Sequence, residues 1–184
     1  KTVKAKKVTL IVTKSAGGYG TCSEIDFISK SGTAGATSEI ITLDKSEWVG
    51  KASSEYGNNW GSFVSAFDGK ENTYWHSKYT AEGSVITSSD KPPYTLEITF
   101  PKVEEVNAMK YLPRQDQQSG RWLEIEIYAS ESGEDKGALV KKATFVQAKT
   151  TWQAVKFGKT VNAKKMTIVV TKGAGNHGTC AEID

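Results

Sequence analysis

From Ser38 onward, apolar and polar residues alternate mostly with a period of two, the repeat of a strand with one buried face. Tyr94, Leu96, Ile98 and Phe100 fall on one side of a run whose other side is Thr95, Glu97 and Thr99. Leu123, Ile125 and Ile127 alternate with Glu124, Glu126 and Tyr128; Val155 shares a face with Phe157, and Met166 with Ile168 and Val170. Lys91-Pro92-Pro93, Ser119-Gly120 and Ser132-Gly133 separate these runs as turns. A 3.6-residue repeat shows nowhere beyond the short stretch Trp60–Phe67. Many short strands with polar connections predict an all-β sandwich.

Ahead of that pattern lies half of a repeat. Residues 1–26 read KTVKAKKVTLIVTKSAGGYGTCSEID and residues 159–184 read KTVNAKKMTIVVTKGAGNHGTCAEID, identical at 18 of 26 positions with an offset of 158. An offset of nearly a whole domain is not a solenoid period. It implies tandem copies, with 1–30 the duplicated C-terminal strand pair of a preceding copy, 31–37 a small, polar linker, and 38–184 the domain itself. Two strands alone are marginal in water. Residues 1–30 are therefore expected to be disordered, to pair with a sheet edge, or to fill the closing slot of this or a neighbouring molecule by a strand swap.

Composition changes this picture little. With 184 residues, 38% hydrophobic and 10% aromatic, the chain is globular and long enough for a sizeable core. A net charge of +3, spread evenly, gives no reason to expect nucleic acid as a partner. Lys4, Lys6 and Lys7, and Lys164 and Lys165, read as solvated strand edges. No apolar run approaches the ~20 residues of a spanning helix. No signal-peptide pattern opens the sequence, which starts mid-pattern and is expected to be an excised piece. Cys22 and Cys180 hold equivalent repeat positions, so buried free thiols are expected rather than a disulfide between them.

Catalytic chemistry is hard to find. Residues 173–178 spell G-x-G-x-x-G after a strand-like run, but the following Thr-Cys-Ala-Glu-Ile-Asp is another strand, and a dinucleotide needs a helix to open there. The two histidines and two cysteines lack zinc spacing. No serine sits in a nucleophile elbow, and no carboxylate pair stands out. An enzyme is not expected. The stretch Phe63–Tyr79 is the exception to this blandness. There Asp68-Gly69 forms a turn signal, and a short loop can aim Asp68, Thr73 and backbone carbonyls at one point, the oxygen-rich chemistry of calcium. An ordinary polar turn leading into a buried Trp75 is the other reading.

Ala-Phe-Asp-Gly at 66–69 and Thr-Tyr-Trp-His-Ser at 73–77 resemble the signature of coagulation factor V/VIII C-type (discoidin) domains. Within that family the chain looks most like the family 32 carbohydrate-binding modules of secreted bacterial glycosidases. Further pieces come in the family's order: Trp48 and Ala52-Ser53-Ser54-Glu55, Pro93-Tyr94-Thr95-Leu96, Tyr111-Leu112-Pro113-Arg114-Gln115-Asp116, Gly120-Arg121, Glu126-Ile127-Tyr128 and Ala181-Glu182-Ile183. The resemblance covers Ser38 to Asp184 and implies a galactose-binding-domain-like β-sandwich jelly roll of two antiparallel sheets.

The resemblance also implies two sites. A structural calcium ion would take main-chain oxygens of Ser65, Lys70 and Ala181 with side-chain oxygens of Asp68, Thr73 and Glu182. Ser23-Glu24 stand ready to replace Ala181-Glu182 if the first copy fills the slot. A sugar site would use Glu55, Tyr56, His76, Tyr79, Arg114 and Arg121, with Asn176 and His177 of the last loop within reach. Aromatic faces suit the C–H side of a pyranose, and Arg, Glu and His suit its hydroxyls. The implied function is non-catalytic binding of glycans ending in galactose, N-acetylgalactosamine or N-acetylglucosamine. The setting would be an extracellular or cell-surface protein of several modules. The alternative is a lipid-binding or protein-interaction discoidin domain. Membrane binding is disfavoured, because the loops are mostly polar and Trp60 is their one large apolar residue.

Overall fold

A computed structural model of the protein describes residues 9, 40, 43–57 and 61–184. The expectations placed on residues 1–37, Cys22, Ser23, Glu24 and Trp60 lie outside the described residues.

Residues 40–184 fold as one unit, Ile40–Asp184. Its strands are β1 (Val49–Ala52), β2 (Trp75–His76), β3 (Tyr79–Glu82), β4 (Val85–Ser89) and β5 (Tyr94–Leu112). Then follow β6 (Trp122–Ser130), β7 (Ala138–Thr144), β8 (Gln153–Gly173), β9 (Thr179–Cys180) and β10 (Glu182–Ile183). The pairing is antiparallel, in the order β1-β5-β8-β6-β7, with β10 added to β5 and with β2-β9 and β3-β4 as separate pairs. Two of these strands are much longer than the alternation suggests: β5 runs for 19 residues and β8 for 21.

Both long strands bend, and the bend makes two layers from one ribbon. Register shifts interrupt their pairing between Thr99 and Glu104 and again between Val106 and Ala108. Before the bend β5 buries Tyr94, Leu96, Ile98 and Phe100, the predicted face; after it the buried positions include Met109 and Tyr111, of the opposite parity. A one-residue slip exchanges the two faces of a strand, so the bend lets both halves look into one core. In β8, Val155 and Phe157 likewise face the same core as Met166, Ile168 and Val170. The result is the jelly roll of two antiparallel sheets. Where a 3.6-residue repeat is faintly visible in the sequence, the chain makes a single 3-10 turn, Phe63–Ala66.

Aromatic rings dominate the core. Trp75, Trp122, Tyr94, Tyr111 and Phe63 are each at most 1% exposed. Tyr111 stacks on Trp122 with centroids 4.5 Å apart and planes at 3°. Each such ring contributes on the order of 4 kcal/mol of burial, an upper figure. Trp75 sits at the hinge of the functional region: its indole N–H donates to the Ser54 carbonyl at 2.9 Å, and its ring lies edge-on to Phe63, Tyr94 and Trp122. The glycine-rich loop 173–178 makes a 3-10 turn, Ala174–Asn176, and passes into β9 with no helix. Its glycines serve packing. A Cβ on Gly178 would meet the Trp75 and Tyr94 rings at 2.6–2.9 Å, and one on Gly173 would strike the His177 carbonyl. Cys180 is a buried free thiol, as expected, pushed well above its ordinary pKa by burial.

Candidate functional site

Two clusters of polar side chains lie on either side of Trp75 in sequence. The pairing of β2 with β9 sets His76 opposite Thr179, and that of β10 with β5 sets Glu182 opposite Leu112. The last dozen residues thus feed both clusters.

The first cluster is built on oxygen. Thr73 Oγ1 donates to the Asp68 carboxylate, 2.9 Å from each oxygen, and lies 2.9 Å from the Lys70 carbonyl. The Lys70 N–H donates to Asp68 Oδ1 at 2.9 Å. From the far end of the chain, Glu182 Oε1 accepts the N–H groups of Gly69 and Lys70 at 2.8 and 3.1 Å. Its Oε2 accepts from Lys45 Nζ at 2.6 Å. Glu182 is 2% exposed. Burial pushes its carboxyl upward, against the downward pull of Lys45, with Asp68 adding a smaller upward push. Asp68, Lys70, Thr73 and Glu182 are therefore brought together. Ser65 lies in the adjoining 3-10 turn, and Ala181 directly precedes Glu182, bonded through its N–H to the Leu112 carbonyl. Among the described residues no three His, Cys, Asp or Glu side chains gather as a metal-binding group. The donors brought together are two carboxylates, a hydroxyl and the Lys70 carbonyl, a set that fits a hard cation such as calcium and no soft metal.

The second cluster is aromatic. The His76 ring centroid lies 5.0 Å from that of Tyr79 and 5.7 Å from that of His177, and Tyr79 lies 4.8 Å from Tyr56. The backbone holds them in place: the Tyr56 N–H donates to the His76 carbonyl, and the His76 N–H to that of Gly61. His76 Nδ1 lies 2.6 Å from the Ser77 carbonyl. A carbonyl only accepts, so Nδ1 carries the proton and Nε2 is the acceptor atom of a neutral ring. Burial, outweighing the Ser77 bond, lowers the His76 pKa to about 4. His177 is lowered too, by burial and then by Lys91. Its Nδ1 is buried and has no hydrogen-bond partner.

The arginines divide. Arg114 donates through Nε and Nη2 to both oxygens of Asp116 at 2.7 Å, and through Nη2 to the Tyr74 hydroxyl at 2.7 Å. Tyr74 in turn lies 6.5 Å from His76, centroid to centroid. Arg114 thus borders the aromatic cluster. Arg121 is 3% exposed and spends its guanidinium on the carbonyls of Arg114 and Gln147. It props the loop that carries Arg114 from behind. Glu55 accepts the Phe63 N–H at 2.9 Å. Lys45 and Tyr74 escaped sequence reasoning; the Arg114–Asp116 pair is one the sequence already allows. Asp116 follows Arg114 by two residues, a usable signal, whereas Lys45 stands 137 positions from its carboxylate.

A jelly roll with a rim of rings and hydrogen-bonding groups defines a class of ligand-binding β-sandwich, and comparison with known proteins gives the family. The F5/8 type C domain profile matches residues 49–183, and the chain belongs to that family. It is similar to a family 32 carbohydrate-binding module of Clostridium perfringens in complex with GalNAc-β-1,3-galactose. That likeness is 27% identity at a TM-score of 0.64, covering 74% of this chain and 92% of that one. The family 32 module of C. perfringens NanJ in complex with galactose is 28% identical at a TM-score of 0.63, covering 76% and 93%. A galactose oxidase of Gibberella zeae is 31% identical over 136 residues, 66% of this chain and 19% of that protein. An A type blood N-acetyl-α-D-galactosamine deacetylase of Flavonifractor plautii is 27% identical over 144 residues, 77% and 17%. The chain spans less than a fifth of the length of these curated relatives.

Proposed function

We propose that the domain is a non-catalytic carbohydrate-binding module for glycans ending in galactose or an N-acetylhexosamine, and that it serves a larger extracellular or cell-surface protein. The cluster of Tyr56, Tyr79, His76 and His177 beside Arg114 carries this reading. Tyrosine faces suit the apolar side of a pyranose; His76 Nε2 accepts from one hydroxyl, and Arg114, held rigid by Asp116, donates to a neighbouring one. A site that pairs with particular hydroxyls rejects an epimer strongly, since the wrong one leaves buried groups unpaired. The galactose and GalNAc complexes of the similar modules support the choice of sugar.

Ser65, Asp68, Lys70, Thr73, Ala181 and Glu182 would hold a calcium ion. Bound there, it would cross-link the loop to the terminal strand and stabilise the native state alone. Calorimetry with galactose, N-acetylgalactosamine and N-acetylglucosamine tests the sugar reading: one of them binds, and His76→Ala weakens it at least about tenfold. Binding of none of them, with His76→Ala leaving another glycan's affinity unchanged, overturns it. Excess chelator is expected to lower the melting temperature, and an unmoved midpoint counts against calcium. A lipid-binding role draws its one support from the β3–β4 hairpin, where Val85 and Ile86 are 67% and 49% exposed; sedimentation with anionic liposomes tests it.

A further inference from the structure

We propose that Lys45 is an internal rival of the metal, its ammonium and a calcium ion taking turns on the Glu182 carboxylate. This inference rests on the calcium reading above. Glu182 is buried where a carboxylate needs either a cation or a full set of donors. Its Oε1 is served by two backbone N–H groups, and its Oε2 by Lys45 Nζ at 2.6 Å. The same ammonium donates to the Ile183 carbonyl at 3.2 Å. Lys45 thereby ties the segment before β1 to the terminal strand, across 137 positions of sequence. It is firmly placed: the Trp48 N–H donates to the Lys45 carbonyl at 3.1 Å, the Ser46 N–H donates to Asp44 Oδ1 at 3.0 Å, and the lysine side chain is 21% exposed.

A divalent ion held by Asp68 and Glu182 sets like charges beside that ammonium, and like charges at short range repel. Calcium must therefore displace Lys45 from Glu182. A route for both exists, because an open groove lined by Asp44, Lys45, Phe67 and Asp68 runs past the cluster. Rotation of the lysine stem carries its head into that groove and water, the habit of long cationic side chains. Two consequences follow. The clasp tolerates loss of calcium better than a metal-only clasp would, and the residue at position 45 sets calcium affinity.

The test compares wild type, Lys45→Met and Lys45→Arg by calcium calorimetry and by melts in calcium and in excess chelator. Lys45→Met is expected to bind calcium at least about tenfold more tightly than wild type and to lose more melting temperature in chelator. Lys45→Arg should track wild type. A Lys45→Met protein that folds only with calcium also supports the inference. Equal affinities in wild type and Lys45→Met overturn it while leaving the calcium reading intact. So does a Lys45→Met protein that stays unfolded in millimolar calcium. If neither protein binds calcium, by heat or by melting shift, the calcium reading itself falls and this inference falls with it.

Discussion

The oxygen cluster and the aromatic cluster flank the same tryptophan, yet they are built by opposite logic. Around Glu182 both carboxylate oxygens are bound across the fold, Oε1 by the Gly69 and Lys70 N–H groups and Oε2 by Lys45, and that carboxylate is the keystone. Around His76 rings meet rings, His76 Nδ1 is tied to the Ser77 carbonyl, and His177 Nδ1 is buried without a hydrogen-bond partner. Saturated polar networks hold a structure together, whereas a cluster of ring faces offers stacking surface to a ligand. The two regions should therefore separate under mutation, one through stability and the other through affinity.

The sharpest separation comes from Glu182→Gln. Glutamine keeps one acceptor oxygen, which cannot serve both Lys45 and the Gly69 and Lys70 N–H groups. A buried charged partner is lost and a donor set is left short, at a cost of about 3 kcal/mol. Thermal denaturation should show a fall of roughly 10 °C. Below its melting temperature the variant should still bind sugar, since Tyr79 and His76 are untouched. His76→Ala should lose sugar affinity at a smaller cost in stability, that of truncating one buried ring. Full stability in Glu182→Gln, or loss of sugar binding at 10 °C, removes the distinction.

A second separation comes from pH. The folded-state pKa of His76 lies at about 4, below the ordinary 6.5. Between those values the unfolded chain takes up a proton that the folded ring refuses, so the contribution is full above pH 6.5 and drains away as pH falls to about 4. The loss over that window is about 3 kcal/mol, and lowering of the His177 pKa acts in the same direction. Denaturant titrations of wild type and His76→Asn at pH 7 and pH 4.5 isolate this share, because the carboxylates are common to both. Sugar affinity should stay level down to about pH 5 and fall as Nε2 acquires a proton. Parallel stability profiles for the two proteins would remove His76 from the account.

How far each region could be read from the sequence follows from the same contrast. Asp68 and Thr73 lie within six positions of each other, so local turn chemistry already pointed at them. Glu182 needed the family resemblance, and Lys45 was invisible because no local pattern reveals a partner 137 residues away. The first half of β5 and the Ile125–Ile127 face of β6 were legible as alternation, but Trp122 and not Leu123 joins the core, because the β6–β8 register shifts between Trp122 and Ile125. The bend that turns β5 and β8 into members of both layers was not legible, since Pro101-Lys102-Val103-Glu104-Glu105 reads as a polar gap and not as a register shift. Arg114 and Arg121 look alike on paper. Both are 3% exposed, and only their partners distinguish an arginine that borders the rings from one that props its loop.

The smallest expected effect decides a single residue. Glu55 was assigned to the sugar site, yet its Oε2 accepts the N–H of Phe63 at the mouth of the 3-10 turn. Glu55→Gln keeps a carbonyl oxygen that can accept the same bond, and it removes only the charge. If the residue serves the turn, the melting temperature should move by less than about 2 °C and sugar affinity by less than about twofold. If it pairs with a sugar hydroxyl, a charge-assisted bond becomes a neutral one and affinity should fall several-fold at unchanged stability. Calorimetry and melting on one preparation distinguish these outcomes, and the geometry of the Phe63 N–H favours the first.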